Sequence, residues 1–298
     1  MPDYVEEFLR YLSVDRGRSP RTVETYRGDL HELVRFLLSQ DQTIDWRLVD
    51  RDRIRLWVAS RMQAGVKPQT IKRSLSSLRS FFRYMLMVGA VERNPMSLIS
   101  NPKVPHPLPA FLRPAEMDQL LDHTKFPETF AGRRDHLILL TFYSCGLRIS
   151  ELCGMNVADV DLDRSELRVL GKRNKHRVVP FGEELHAAFA AYLPERAQYA
   201  NAADPAFFIS EKGPRLSAEK VRQMVKSYLS LVTTQHKRTP HVLRHTFATA
   251  MLNAGADLEA VKDLLGHESV ATTQIYTHTT FEELRNAYAH AHPREKEK

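Results

Sequence analysis

The stretch NPKVPHPLPAFLRP, residues 101–114, decides how this chain of 298 residues is organised. It contains five prolines in 14 residues and shows neither helical nor strand periodicity. Because proline lacks a backbone donor and restricts the residue before it, the stretch is predicted to be extended. The chain is also long for one domain. We therefore predict two domains, residues 1–100 and 112–298, joined by a linker over residues 101–111.

Residues 1–100 are predicted to form a small domain of about four or five helices. Ser19 and Pro20 are typical of a helix start, since serine caps the first turn and proline suits the first helical position. Further helices are predicted over residues 50–63 and 68–87, and the second of these has an apolar stripe at helical spacing.

The second domain is predicted to be mainly helical, so the fold class expected for the whole chain is mainly α with a small β-sheet. Residues 134–145 form a predicted buried helix that ends at Gly146. Residues 166–170 and 176–181 are predicted strands, joined by a tight polar turn. Later helix starts are predicted at Thr239-Pro240, at Asp257 and at the capping box Thr280-x-x-Glu283.

Positive charge is concentrated in the first part of the chain. Residues 1–110 carry 18 Lys and Arg against 12 Asp and Glu, whereas residues 111–298 carry 25 against 24. Basic surface on helices favours binding to a polyanion such as DNA, and a solvated basic surface is the alternative. The candidates for DNA contact are Lys72, Arg73, Arg79, Arg83 and Arg222.

The composition is that of a soluble globular protein, with 43% hydrophobic and 27% charged residues. No apolar run approaches the ~20 residues that a membrane span needs. The start, MPDYVEEFLR, lacks the features of a signal peptide. Cys145 and Cys153 are eight residues apart, which matches neither a CxxC motif nor a disulfide framework. We therefore expect a cytoplasmic protein with two reduced thiols.

The segment HVLRHTFAT, residues 241–249, places two histidines and an arginine at a predicted helix start. His241 and His245 have zinc-ligand spacing, but no HExxH glutamate or cysteine pair accompanies them, and Arg244 disfavours a dication on this face. We therefore predict no metal. Arg244 can instead bind two phosphate oxygens. On these nine residues alone, helix capping and ordinary surface contacts are the simplest interpretation.

Four other motifs accompany this segment in a fixed order. GLRISEL contains Arg148 and Glu151, and GKRNKHRVVP places Lys172 in the predicted turn. LGH contains His267, and TTQIYTH contains Tyr276. Together with HVLRHTFAT, this order resembles the tyrosine site-specific recombinases of the phage integrase family, above all the bacterial XerC/XerD-type recombinases. The resemblance covers nearly the whole chain.

The resemblance implies a helical core-binding domain of the SAM-like type and a catalytic domain that together clamp DNA. It implies that Tyr276 attacks a DNA phosphate to give a 3′-phosphotyrosyl link, and that recombination passes through a Holliday junction. Bond energy is kept in the ester, so neither ATP nor Mg²⁺ nor another cofactor is expected.

The resemblance also implies an assembly. The expected partners are double-stranded DNA and further protomers in a homo- or heterotetramer, with a second Xer recombinase and an FtsK-type translocase. The final helix is expected to contact a neighbouring protomer. The implied role is the resolution of chromosome dimers at dif-like sites during cell division.

The roles of the site residues follow from the chemistry of phosphodiester exchange. The pentavalent phosphorus gains negative charge on its non-bridging oxygens, which Arg148 and Arg244 are suited to offset, with His267 as a further donor. Because tyrosine has a pKa near ~10, a base must assist its deprotonation, and His241 is the candidate. Lys172 is expected to protonate the departing 5′ oxygen.

Glu151 is expected to orient this cluster, and His245 is given no catalytic role. Three other functions remain as alternatives. The chain could be a mobile-element integrase with the same chemistry, or a type IB topoisomerase-like enzyme that relaxes DNA without a partner strand. From a different class, it could be a non-catalytic architectural protein that only binds DNA.

Overall fold

The computed structural model divides the chain into two units, Met1–Pro107 and Leu108–Lys298. It describes residues 3–104, 110–171, 176–200, 204–266 and 281–294, with backbone alone for residues 281–284. Both units are built mainly from helices, and a small sheet lies in the second. The predicted fold class is confirmed.

Unit 1 contains four α-helices within its described residues, and each has an apolar face turned to one shared core. Their bounds are Tyr4–Val14 (α1), Pro20–Gln40 (α2), Arg51–Gln63 (α3) and Pro68–Met87 (α4). The start of α2 is as predicted, because the Ser19 hydroxyl accepts from the Thr22 amide at 3.3 Å. Rings pack edge to face in this core, among them Phe8 on Phe81 at 5.4 Å.

One buried carboxylate on α2 binds three side chains of α4. Asp29 on α2 accepts hydrogen bonds from the Ser74 hydroxyl at 2.7 Å and the Ser77 hydroxyl at 2.6 Å, and Arg73 Nη2 donates to it at 2.9 Å. A buried carboxylate is tolerated only when its oxygens are paired in this way. The register between these two helices is therefore set by polar contacts as well as by apolar ones.

Unit 2 begins with two short helices and a long, mostly buried one. They are Pro114–Asp118 (α5), which continues as a π-helical turn Gln119–His123, then Phe130–Cys145 (α6) and Ile149–Gly154 (α7). Later helices are Glu183–Tyr199 (α8), Ala218–Val232 (α9), Pro240–Asn253 (α10), Leu258–Leu265 (α11) and Phe281–Ala291 (α12). Their apolar faces form one core with the sheet.

Within the described residues the sheet has three antiparallel strands in the order β1-β2-β3. They are Val160–Asp161 (β1), Glu166–Leu170 (β2) and His176–Pro180 (β3). Both predicted strands are present, and the second ends one residue earlier than predicted. Val169 pairs with Arg177, and opposite residues of an antiparallel pair share a face of the sheet. Arg177 therefore points to the same side as the buried Val169.

The last described helix, α12, contacts its own unit. Tyr288 is buried, and the ring of His292 just after the helix stacks on it at 4.8 Å. Burial lowers the pKa of His292 to about 4, so this imidazole is neutral near neutral pH. Of the predicted capping box, Thr280 and the side chain of Glu283 lie outside the described residues. In the described part of the chain, no helix has the length and hydropathy needed to cross a bilayer.

Candidate active site

The turn between α6 and α7 positions the first candidate arginine. Gly146 ends α6 with a left-handed φ of 57°, and an added Cβ there would lie 2.5 Å from Phe247 Cδ1. Only glycine fits both the backbone angle and the space. The chain therefore reverses sharply after α6, and Arg148 becomes the residue that caps α7.

Glu151 lies at the centre of the site, and its side chain is 3% exposed. One carboxylate oxygen accepts from the Arg148 amide at 2.7 Å, and the other accepts from Arg148 Nη1 at 2.7 Å. Arg177 binds both oxygens, through Nη1 and Nη2, each at 2.9 Å. Arg244 Nη1 lies 3.9 Å from the carboxylate. One buried acid thus gathers three guanidinium groups.

The same three arginines bind the carboxyl end of α11. Arg177 Nε donates to the Leu264 carbonyl at 2.9 Å and Arg148 Nη2 to the Gly266 carbonyl at 2.8 Å. Arg244 Nη2 donates to the intervening carbonyl, that of Leu265, at 2.5 Å. The last carbonyls of a helix lack partners inside it and carry partial negative charge, so guanidinium groups suit them.

Arg244 is tied to the turn as well. Its Nη1 donates to the Gly146 carbonyl at 2.7 Å, so one guanidinium joins the end of α6 to the end of α11. Its side chain is 5% exposed, against 29% for Arg148. Burial, and then the charge of Arg148, lowers the pKa of Arg244 to about 10, which still leaves it charged at neutral pH.

The cluster carries an excess of positive charge. Three guanidinium groups face one carboxylate, and the pKa of Glu151 lies below its ordinary value. Burial alone would raise that pKa, but the hydrogen bonds and charge of Arg177, followed by the hydrogen bonds of Arg148, outweigh it. Glu151 is therefore ionised at neutral pH and two positive charges remain unbalanced. An anion is the ligand that this arrangement suits.

His241 lies one turn before Arg244 on α10 and is exposed. Although the residue is exposed, the loss of water around part of its ring lowers the pKa of His241 below its ordinary value, and the charges of His245, Arg244 and Arg148 lower it further. Its imidazole is therefore neutral at neutral pH and able to accept a proton. The rings of His241 and His245 meet edge to face at 4.7 Å. Within the described residues, no third His, Cys, Asp or Glu joins them to form a metal-ligating group.

The structure thus brings Arg148, Glu151 and Arg244 together, with His241 on the same helix as Arg244. The other three predicted catalytic residues lie outside the described part of the chain; they are Lys172, His267 and Tyr276.

Arg177 was missed by the sequence reasoning. It is the third arginine of the cluster, and it belongs to the GKRNKHRVVP motif, which was used only to place Lys172. A basic residue in line with inward apolar positions of a strand is the signal that could have found it.

The residues proposed for DNA contact differ in whether their side chains already bind another group of the protein. In unit 1, Arg73 pairs with Asp29, and Arg79 donates to the Ile99 carbonyl at 2.8 Å. Among the residues that the structure describes, no acid pairs with Lys72 or Arg83. In unit 2, exposed Arg222 on α9 donates to Glu219 at 3.2 Å.

The chain matches two known domain families over most of its length. The profile described as Phage integrase family matches residues 110–283, and the one described as Phage integrase, N-terminal SAM-like domain, matches residues 5–88. The chain is 38% identical to the tyrosine recombinase XerC of Chlorobaculum tepidum, over 98% of this chain and 94% of that one. It is 38% identical to the XerC of Shewanella amazonensis, over 99% and 97%.

Solved structures share the fold at lower identity. The XerH site-specific recombinase bound to palindromic difH substrate aligns with a TM-score of 0.71 and 20% identity, over 96% of this chain and 84% of that one. The Tn1549 transposon integrase in complex with transposon right end DNA aligns with a TM-score of 0.69 and 22% identity, over 95% and 97%.

Replacing Gly146 by alanine is expected to lower the free energy of unfolding by about 2 kcal/mol or more, because the added Cβ would meet Phe247 and the φ is left-handed. Gly154→Ala on α7 is the matched control, since nothing lies within 4 Å of its Cβ position. Urea unfolding followed by circular dichroism measures the difference. Equal stability of the two variants would contradict this account of the turn.

Proposed function

Because the chain belongs to the phage integrase family and is a site-specific tyrosine recombinase, we propose that its Tyr276 forms a 3′-phosphotyrosyl link with DNA. Strand exchange then proceeds through a Holliday junction, with two strands exchanged at a time. The observation that carries this proposal is the meeting of Arg148 and Arg244 around one buried carboxylate. These arginines are far apart in the sequence and hold adjacent carbonyls of α11.

The two arginines stabilise the phosphate as it reacts. When the Tyr276 oxygen bonds to phosphorus, negative charge builds on the non-bridging oxygens before the bond to the 5′ oxygen breaks. Each guanidinium has five N–H donors. Arg148 and Arg244 each use two of these for side-chain hydrogen bonds among the described residues, so donors remain for phosphate. Their internal bonds fix them in advance, which avoids reorganisation during the reaction.

Proton transfers are assigned to the other residues. His241, neutral at neutral pH, assists removal of the tyrosine proton, and Lys172 protonates the departing 5′ oxygen. His267 donates a further hydrogen bond to the phosphate. Glu151 orients the arginines. In the second half of the reaction, the 5′-hydroxyl of a partner strand attacks the phosphotyrosyl link and displaces the tyrosine.

The proposed biological role is resolution of chromosome dimers at dif-like sites in the cytoplasm during cell division. It is supported by the curated relatives named XerC, each 38% identical over nearly the whole chain. A second Xer recombinase and an FtsK-type translocase are proposed partners. A mobile-element integrase remains the alternative, and the likeness to the Tn1549 integrase concerns the fold alone.

Four protomers on two DNA duplexes are proposed to form the active assembly, with unit 1 and unit 2 clamping DNA and the segment at α12 contacting a neighbour. In the single chain, Tyr288 of α12 is buried within its own unit. Light scattering of the purified complex with DNA is expected to give four protein chains for two duplexes. A stable complex of one chain per duplex under recombining conditions would contradict this part of the proposal.

The covalent step is tested with a nicked suicide duplex that contains the recombination site. The wild-type protein is expected to give a protein–DNA band on a denaturing gel, because the nicked fragment diffuses away and traps the ester. Tyr276→Phe removes the nucleophilic oxygen and is expected to give no band while still binding the duplex. A band that survives Tyr276→Phe would rule out this nucleophile. Relaxation of a plasmid without recombination between two sites would instead favour the topoisomerase-like alternative.

The pH dependence of adduct formation tests the role of His241. Because the pKa of His241 is lowered, the neutral base persists below pH 6.5, and the rate is expected to fall only as the pH drops through that lowered pKa. His241→Gln is expected to slow adduct formation by about 100-fold and to remove this acid limb. His245→Gln is the matched control and is expected to keep the acid limb, moved to higher pH because the charge of His245 no longer lowers the pKa of His241. An acid limb that persists unchanged in His241→Gln would show that another group is the base.

A further inference from the structure

We propose that Arg177 is a positioning residue for DNA cleavage, which neutralises Glu151 and so leaves Arg148 and Arg244 free to bind the reacting phosphate. The inference rests on the proposed roles of these two arginines. Arg177 acts through these arginines and not on the phosphate itself.

The first support is that the hydrogen-bond donors of Arg177 already have partners within the protein. Its Nη1 and Nη2 bind the two oxygens of Glu151, and its Nε binds the Leu264 carbonyl. The N–H donors with which Arg177 would bind two phosphate oxygens are thus already engaged within the protein. A Cβ added to Gly266 would lie 3.1 Å from Arg177 Nη1, so the guanidinium also packs closely against the main chain there.

The second support is the division of the Glu151 carboxylate among its partners. Arg177 makes two hydrogen bonds to it, whereas the Arg148 side chain makes one and Arg244 lies farther away. Without Arg177, the carboxylate would be left to Arg148 and Arg244, which would be drawn toward it. One of the two unbalanced positive charges would also be lost. Both changes weaken the hold on a phosphate that is gaining charge.

The third support is the carboxyl end of α11. The carbonyls of Leu264, Leu265 and Gly266 are bound by Arg177, Arg244 and Arg148 in that order. Because these carbonyls are consecutive, a shift of the first displaces the acceptors of the other two. Arg177 therefore fixes the positions of both phosphate-binding arginines from one side, and Glu151 fixes them from the other.

The strand register explains why a residue of β3 reaches this place. Arg177 lies opposite Val169 on the inward face of the sheet, and its side chain is 15% exposed. Arg168 on β2 points to the opposite face and is exposed. The same sheet thus offers an arginine inside the cluster and a matched one outside it.

The test combines a variant with a change in the substrate. Adduct formation by Arg177→Gln and by wild type is measured on two nicked suicide duplexes. One has an ordinary phosphate at the scissile position, and the other has a methylphosphonate at that position. Methyl replacement of one non-bridging oxygen removes the charge that the arginines stabilise. On the ordinary phosphate, Arg177→Gln is expected to react about 100-fold more slowly, the scale of losing a preorganised donor. On the methylphosphonate, the difference is expected to shrink to less than about 10-fold.

A purely structural role would not produce this pattern. If the variant merely contained less folded protein, its rates on the ordinary phosphate and on the methylphosphonate would fall by the same factor. Equal losses on the two substrates would therefore overturn the proposal. An undiminished rate on the ordinary phosphate would overturn it as well. Arg168→Gln is the control and is expected to match wild type on both substrates. Affinity for one half-site, measured by gel shift, is expected to stay within about threefold in Arg177→Gln.

Arg177→Lys is the second variant, needed should the glutamine variant not fold. Lysine keeps the charge but cannot bind both oxygens of Glu151 and the Leu264 carbonyl together. Its rate on the ordinary phosphate is expected to lie between those of Arg177→Gln and wild type, and the same dependence on phosphate charge applies. If wild type itself forms no adduct, the proposed function fails. If wild type reacts and the Arg177 variants react equally well, this inference alone fails.

Discussion

The ionised carboxylate of Glu151 is the constraint on which the site depends. It is buried among arginines that come from the start of α7, from β3 and from α10. A buried carboxylate without partners costs several kcal/mol, so the chain must bring cations to it. Once gathered, those cations outnumber it. The acid that organises the site therefore leaves it positive, which is the condition needed to bind phosphate.

Helix α11 completes this arrangement. Its last carbonyls offer partial negative charge to the same guanidinium groups, at a point where Gly266 ends the helix with a left-handed φ of 62°. Arg244, the most buried of the three, joins these carbonyls to Gly146 at the end of α6. One guanidinium thus binds the main chain at both glycine turns. In this part of the fold, the two backbone turns and the position of the Arg244 charge therefore depend on each other.

Local sequence was a good guide wherever a single residue type settles the backbone. Ser19 and Pro20 predicted the start of α2, and Gly146 predicted the end of α6. The helix over residues 68–87 was predicted with the bounds that it has. In contrast, β1 was not predicted, because a strand of two residues is too short to show alternation.

The two-part fold class, the family and the order of the candidate catalytic residues could be predicted from the sequence, because they depend on a proline-rich stretch and on short motifs with fixed spacing. The contacts of the described basic side chains became visible only in the folded chain. Arg73 and Arg79 make hydrogen bonds within unit 1, and Glu151 is buried and shared between Arg148 and Arg177. The physical reason is that charge pairing acts between side chains distant in the chain, so it follows from packing and strand register.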